Sequence, residues 1–451
     1  MDNDLLPSNV MNTTSIGCPS TGRGSRRVSA STARVRAALL QPRLNALAAL
    51  REEAVSKSAG LLAGTPYAAK DIFATADRRP RCGLAVEVPV SGGDCETLRR
   101  LDAAGADRIA YTALPELAYE PSGYNSVSGA VRNPWNLDFI SGGSSAGSAA
   151  VVASGAAVFA LGSDTGGSLR IPAHACGVTA WKPTFGAVPM SGTMALAPTL
   201  DTIGLMARSA ADLADAARII AEPMPAVAPP RRARMLTDLF AAAEPSVSAA
   251  CRAAVDAIAG TGVLIETKDA LTAINKLDQP VFTVMEAEAA RTHRALIGQG
   301  ILDAVLERRL GKGLSITDRE LQEATAARSQ LVAEFLYQIF GDAHVLLLPV
   351  MPIRTPHLTQ CDPRSDRFVA KILYELSRFT RFVNLLGLPA VVIPAGFDNR
   401  DMPVGIQIVG RADADHALIE HARLVQSLTD WHARVPHAVS DLKELQCVKE
   451  P

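Results

Sequence analysis

No two cysteines in this 451-residue chain stand in a C-x-x-C arrangement. The seven that occur, Cys18, Cys82, Cys95, Cys176, Cys251, Cys361 and Cys447, are scattered and odd in number, which argues against a disulfide framework and a structural zinc site. Such usage fits a reducing cytoplasm. Neither sign of charge is in excess, with 45 Lys and Arg against 46 Asp and Glu. That balance excludes a strongly basic nucleic-acid binder and an acidic tail. Long hydrophobic runs are missing too. The most apolar stretch, Ala149 to Gly162, is broken by Ser154 and Gly155 and is too short to cross a bilayer, so no membrane partner is expected. Residues 1–27 lack the apolar core of a secretory leader and read as a flexible tail.

What is present is a chain with 48% hydrophobic residues, enough for a large core. Apolar residues recur at helical spacing from Ala33 to about Ser58, interrupted by Pro42, which predicts two short helices. A buried strand follows the Gly64 loop, then a helix over Thr97 to Ala104 and a strand over Arg108 to Tyr111. Alternation of this kind predicts an α/β fold, a mixed central β-sheet covered by helices on both faces. Ser209 with Asp212, and Thr317 with Glu320, read as helix-starting caps. Prolines at 223, 225, 229 and 230 mark a boundary before a mostly helical insertion at about 231–341. Strands return at His344 to Pro349, Ala390 to Pro394 and Pro403 to Gly410, and Asp413 to Leu428 closes the chain as a helix. The expectation is one domain over 28–451.

Three groups of residues carry candidate chemistry. Gly143-Ser144-Ser145-Ala146-Gly147 matches G-x-S-x-G around Ser145, but a nucleophile elbow needs a strand directly before it, and Pro134 to Gly142 reads as loop. Thr165-Gly166-Gly167-Ser168 is a glycine-rich turn after a strand, where backbone N–H groups converge on an anion or an oxyanion and Ser168 stands ready as nucleophile. Its alternative, a phosphate loop, lacks the G-K-[ST] ending. Lys70 is one of nine lysines and lies among Tyr67, Ala68, Ala69, Ile72 and Phe73. Burial there lowers its pKa and makes it a base, unless Asp71 or another carboxylate pairs with it.

Together these blocks resemble the amidase signature family. Gly64, Pro66, Lys70 and Asp71 meet G-x-P-x-x-x-K-D, residues 142–148 meet G-G-S-S-x-G-S, and Asp164 to Ala173 meet D-x-G-G-S-x-R-x-P-A. Trp181-Lys182-Pro183-Thr184 and the block from Phe382 to Gly410 fit the same pattern. Leu205 departs from it, standing after Gly204 where the family has Pro. The resemblance implies that Ser168 is the nucleophile, Ser144 the serine after a cis peptide bond, and Lys70 the base. It places the oxyanion hole at Thr165, Gly166, Gly167 and Ser168, and substrate contacts at Ala118, Tyr119 and Ser144. From their aromatic character alone, Tyr119 and Tyr124 are expected to favour aromatic acyl groups. His174 and Cys176 are expected to pack, Ser145 to orient its loop, and Arg170 to support the turn.

The function implied is an amidase that hydrolyses a small carboxamide or aryl or alkyl amide through a Ser168 acyl-enzyme. It would need no metal or organic cofactor, and its partners would be a small-molecule amide, no nucleic acid, and at most a second copy of the chain. The alternatives are the glutaminase-type subunit of a tRNA-dependent amidotransferase, a serine esterase, and a silent scaffold. Against the first stand Ser377 and Arg378, where such subunits carry an acid ahead of F-x-x-N-L.

Overall fold

The computed structural model describes residues 28–53, 59–221, 223–225, 227–437 and 439; the tail expected at 1–27 lies outside them. Among the described residues, eleven strands form one mixed sheet: β1 (Leu47–Leu50), β2 (Pro66–Lys70), β3 (Asp107–Thr112), β4 (Phe159–Asp164), β5 (Thr179–Lys182), β6 (Thr202–Ala207), β7 (Arg232–Leu236), β8 (Leu264–Lys268), β9 (Val345–Pro349), β10 (Ala390–Phe397) and β11 (Pro403–Gly410). Their order across the sheet is β1-β3-β2-β4-β6-β5-β10-β11-β9-β7-β8. β2 runs parallel to β3 and β4, and β7 parallel to β8 and β9, while the other pairs are antiparallel.

Every residue of β4, β6, β9 and β11 is buried, so both faces of the central sheet need cover. Successive residues point to opposite faces and join different cores. Ala69, Leu161 and Leu205 pack with Leu213 and Ala217 of the helix Ala210–Ile220 and with Leu418 and Val425 of Asp415–Ser427. Ala68, Ala160 and Met206 pack on the other side with Ala149 and Val152 of Ala146–Ala153 and with Ala33 and Ala37 of Ala30–Leu44. The caps read from the sequence are present: Ser209 accepts the Asp212 N–H, and Thr317 with Glu320 forms a capping box at the head of Asp318–Phe335.

Two expectations are corrected. Pro42 does not separate two helices. It sits in the last turn of Ala30–Leu44, Asn45 ends that helix in the left-handed region at φ 51°, and the chain continues as β1; residues 54–58 lie outside those described. The Asn45 side chain donates to the Ser128 carbonyl at 2.7 Å, which holds the reversal. The insertion at 231–341 is mostly helical, as expected, but it does not lie only beside the sheet, because β7 and β8 extend the sheet past β9. β8 is the edge strand and β7 its neighbour, both are partly exposed, and charged residues stand where an apolar pattern would have betrayed them. Arg232 and Arg234 answer Glu266 and Asp342 across this edge.

The helix Ala146–Ala153 approaches the neighbouring backbone so closely that a Cβ on Gly147 would lie 2.3 Å from the Ala46 carbonyl oxygen and 2.7 Å from the Ala113 nitrogen. Alanine is the better helix former by about 1 kcal/mol, yet contact with rigid backbone outweighs that gain. Gly147→Ala is expected to lower the thermal midpoint by several degrees; a midpoint unchanged or raised would show that the helix is not seated this way.

Candidate functional site

Because β2 and β4 are parallel neighbours, their C-terminal ends bring Lys70 beside Ser163 and Asp164. The small-residue segment 142–148 leads into Ala146–Ala153 at the same end of the sheet, and the Gly143–Ser144 peptide bond is cis. Lys70 is fully buried. Its Nζ donates to Ser144 Oγ at 2.7 Å, Ser163 Oγ at 3.0 Å and Ser145 Oγ at 3.2 Å. The alternative of an ion pair with Asp71 is not what the structure holds: Asp71 pairs with Arg78 and accepts the Arg81 N–H. Hydroxyls stabilise an ammonium less than a carboxylate does. Burial therefore lowers the Lys70 pKa to about 7, against the more distant pull of Asp164 and Asp201.

The glycine-rich turn follows β4 directly. Asp164 has no exposed surface and gathers donors from the whole turn: Gly167 N–H at 2.8 Å, Leu169 N–H at 3.0 Å, and Arg170 through Nη2 at 2.9 Å and Nε at 3.1 Å. Burial opposes its charge, but the Arg170 guanidinium, helped by Lys182 and the turn's N–H groups, holds the carboxyl well below the usual range. Arg170 also donates to the Thr380 carbonyl, Gln407 Oε1 and Asn384 Oδ1, which ties the turn to the C-terminal block. The supporting role expected of Arg170 matches this geometry.

One of the N–H groups expected as oxyanion donors is already engaged by the same network. The Gly167 N–H is spent on Asp164, whereas the N–H groups of Thr165, Gly166 and Ser168 make no hydrogen bond among the described residues. A cavity of about 140 Å³ opens over the turn, lined by Thr165, Gly166 and Ser168 and by Ala118 and Tyr119 from the facing loop. Leu117 and Ala118 hold positive φ of 50° and 60°, an arrangement that non-glycine residues adopt mainly where the surroundings impose it. Ser144 and Lys70 are buried and are not among the residues that line this cavity. Tyr124 is displaced from expectation: it lines neighbouring cavities, with Arg364 over its ring at 5.3 Å.

The other expected bystanders are accounted for. Ser145 Oγ bonds the Ser163 backbone on both sides, donating at 3.1 Å and accepting at 3.3 Å, and no histidine among the described residues reaches it. His174 accepts the Gly405 N–H, and burial lowers its pKa to about 4. Cys176 is buried and its thiol is pushed up. Sequence reasoning missed Phe282, Met285, Glu286 and Arg309, which line the cavity from the insertion. Arg309 is half-buried and makes no hydrogen bond or ion pair among the described residues. Beside Arg308 on an amphipathic helix, nothing in the sequence distinguished it from a surface cation. Among the described residues no helix is long and apolar enough to cross a membrane.

Comparison with known proteins extends this geometry. The Amidase family model matches residues 26–419. A subunit of the glutamyl-tRNA(Gln) amidotransferase of Roseiflexus castenholzii is 32% identical, over 92% of this chain and 93% of that protein. A crystal structure of an amidase superposes with a TM-score of 0.80 at 28% identity, covering 89% of this chain and 96% of that one. The crystal structure of the glutamyl-tRNA(Gln) amidotransferase subunit from Thermotoga maritima gives 0.76 at 26% identity, covering 90% and 96%. These relatives overturn the expected partner set of a small-molecule amide without nucleic acid, because their names are those of one subunit of an enzyme of glutamyl-tRNA. A near-neutral composition does not speak against such partners, since a protein that works in an assembly need not itself carry a basic surface.

Arg170→Met would leave the Asp164 carboxylate buried without its cation. The expected cost is about 3–5 kcal/mol in urea unfolding; a loss below about 1 kcal/mol would show that the pair does not hold the turn.

Proposed function

This chain belongs to the Amidase family, and we propose that it cleaves a carboxamide through an acyl-enzyme on Ser168, with Ser144 and Lys70 as proton carriers. The observation that carries the reading is the 2.7 Å contact between Lys70 Nζ and Ser144 Oγ, made by a buried lysine with no carboxylate partner among the described residues. Neutral Lys70 takes the Ser144 proton, Ser144 takes that of Ser168, and Ser168 Oγ attacks the amide carbon. The free N–H groups of Thr165, Gly166 and Ser168 receive the oxyanion. Ser144 returns a proton to the departing nitrogen, and water releases the acid. The chain's own residues supply every step, so the reading calls for no cofactor.

The physiological role we assign is the glutaminase-type subunit of a tRNA-dependent amidotransferase, in which glutamine is the amide and ammonia passes to the other subunits. Similarity to proteins of that name along 92% of the chain supports this reading. So does the cavity, which offers to a carboxylate the Arg309 side chain, unpaired among the described residues, while Glu286 in the same cavity is held by Lys312 at 3.0 Å. Ser377 lines the same cavity without adding an acid.

Two measurements check these claims. With the other subunits and glutamyl-tRNA present, ammonia release from L-glutamine is expected, and Ser168→Ala should reduce it by about 10³-fold or more. Rapid hydrolysis of simple amides by the isolated chain, with glutamine inert under all conditions, would remove the amidotransferase assignment and leave the amidase chemistry standing. The base works deprotonated, so the rate of acylation should rise with pH through about 7. A flat profile, with Lys70→Ala still active, would contradict the assigned base.

A further inference from the structure

Glu120 stands beside the cavity, and the proton transfers do not use it. Its Oε2 accepts three backbone N–H groups, from Ser122 at 2.9 Å, Gly123 at 3.0 Å and Tyr124 at 3.2 Å, while Oε1 is buried without a partner among the described residues. Three N–H groups on one oxygen favour the charged carboxylate and fold residues 120–124 back on themselves. The turn so formed presents the Pro121 carbonyl to the Gly143 N–H at 2.7 Å, and Gly143 is the residue before Ser144. There is no slack between the two segments. A Cβ on Gly143 would lie 2.7 Å from the Gly123 nitrogen and 2.8 Å from the Glu120 carbonyl oxygen, and one on Gly123 would lie 2.9 Å from the Ala146 Cβ. At such contact distances the turn cannot change shape without moving residues 142–144.

We propose that ionised Glu120 is a positioning residue for Ser144: its carboxylate shapes the 120–124 turn, the turn sets Pro121, and Pro121 holds Gly143 so that the Ser144 hydroxyl meets Lys70. The inference rests on the reading of Ser168, Ser144 and Lys70 given above. Burial pushes the Glu120 carboxyl up to about 7, against the Ser122 hydroxyl, its N–H donors and the Arg309 charge. The other titratable groups around it are Tyr119 and Tyr124 on its own loop, Glu116 just before, Asp303 on the insertion and Cys361 on the turn at 358–361. A carboxylate protonates as pH falls, and its hydrogen bonds then weaken. Reaction accordingly requires the loss of two protons, one from Lys70 and one from Glu120.

The test needs no substrate. The rate constant for labelling of Ser168 by a fluorophosphonate is measured from about pH 5 to 9 in the full chain, in Glu120→Gln and in Glu120→Ala. Glutamine keeps the accepting oxygen but does not titrate. The expected logarithmic slope below about pH 6 approaches ~2 in the natural chain and ~1 in Glu120→Gln, with Glu120→Gln within about tenfold of the natural rate at about pH 8.5. Glu120→Ala should label more than about 30-fold more slowly at every pH, as a displaced catalytic group would. If Glu120→Ala does not fold, the slopes alone decide. A natural-chain slope of about 1 that is unchanged in Glu120→Gln, or Glu120→Ala within about threefold of the natural rate, overturns the positioning role while leaving Ser168 as nucleophile. Label absent, or borne by another residue, would instead remove the underlying reading and this inference with it.

Discussion

An ammonium group buried without a carboxylate is the constraint around which the site is arranged. Lys70 can stay in the interior only if hydroxyls satisfy it or if it gives up its proton, and the structure supplies both conditions. Its three hydroxyl partners come from two segments, Ser144 and Ser145 from the run after residue 141 and Ser163 from the end of β4. Those segments must converge on the end of β2, which explains the small residues there: Gly142, Gly143 and Gly147 all meet neighbouring backbone atoms closer than a side chain would allow. Packing around Lys70 and chemistry at Lys70 therefore impose the same demands on this part of the chain.

Asp164, one strand away, shows the opposite solution to burying a charge. It is fully paired with Arg170, receives additional donors from the turn and from Asn384, and remains ionised far below neutrality. Such a group cannot move protons, but it can hold geometry. Arg170 reaches onward to Gln407 and the Thr380 carbonyl, so the glycine-rich turn is anchored to residues more than 200 positions later. One buried charge is left without a carboxylate and pushed down to about 7, the other is paired and held ionised, and in the proposed mechanism that difference separates proton transfer from support.

Much of this was legible in the sequence because the chemistry depends on local backbone shape. Glycines around Ser144 and Ser168, and a lysine in an apolar strand, stand close in sequence to the atoms they serve, and the buried strands show plain apolar runs. What was hidden depends on distance. β7 and β8 were hidden because charged residues at a sheet edge blur the period-two pattern. Arg309 sits on Ala304–Leu314, whose spacing is that of an ordinary amphipathic helix, and Phe282 and Glu286 sit on Asp278–Thr292, whose residues show no clear apolar face at all. The engagement of Gly167 by Asp164 and the role of Glu120 rest on hydrogen bonds that no residue pattern announces.

The claim that Lys70 is neutral under working conditions is open to direct observation. In protein with ¹³C-labelled lysine, the Lys70 Cε resonance, assigned by its absence from Lys70→Arg, can be followed from about pH 5 to 11. The structure predicts a midpoint near 7. A midpoint near ~10.4, the ordinary value for lysine, would mean that the group is charged when the reaction runs, and the base would have to be sought elsewhere.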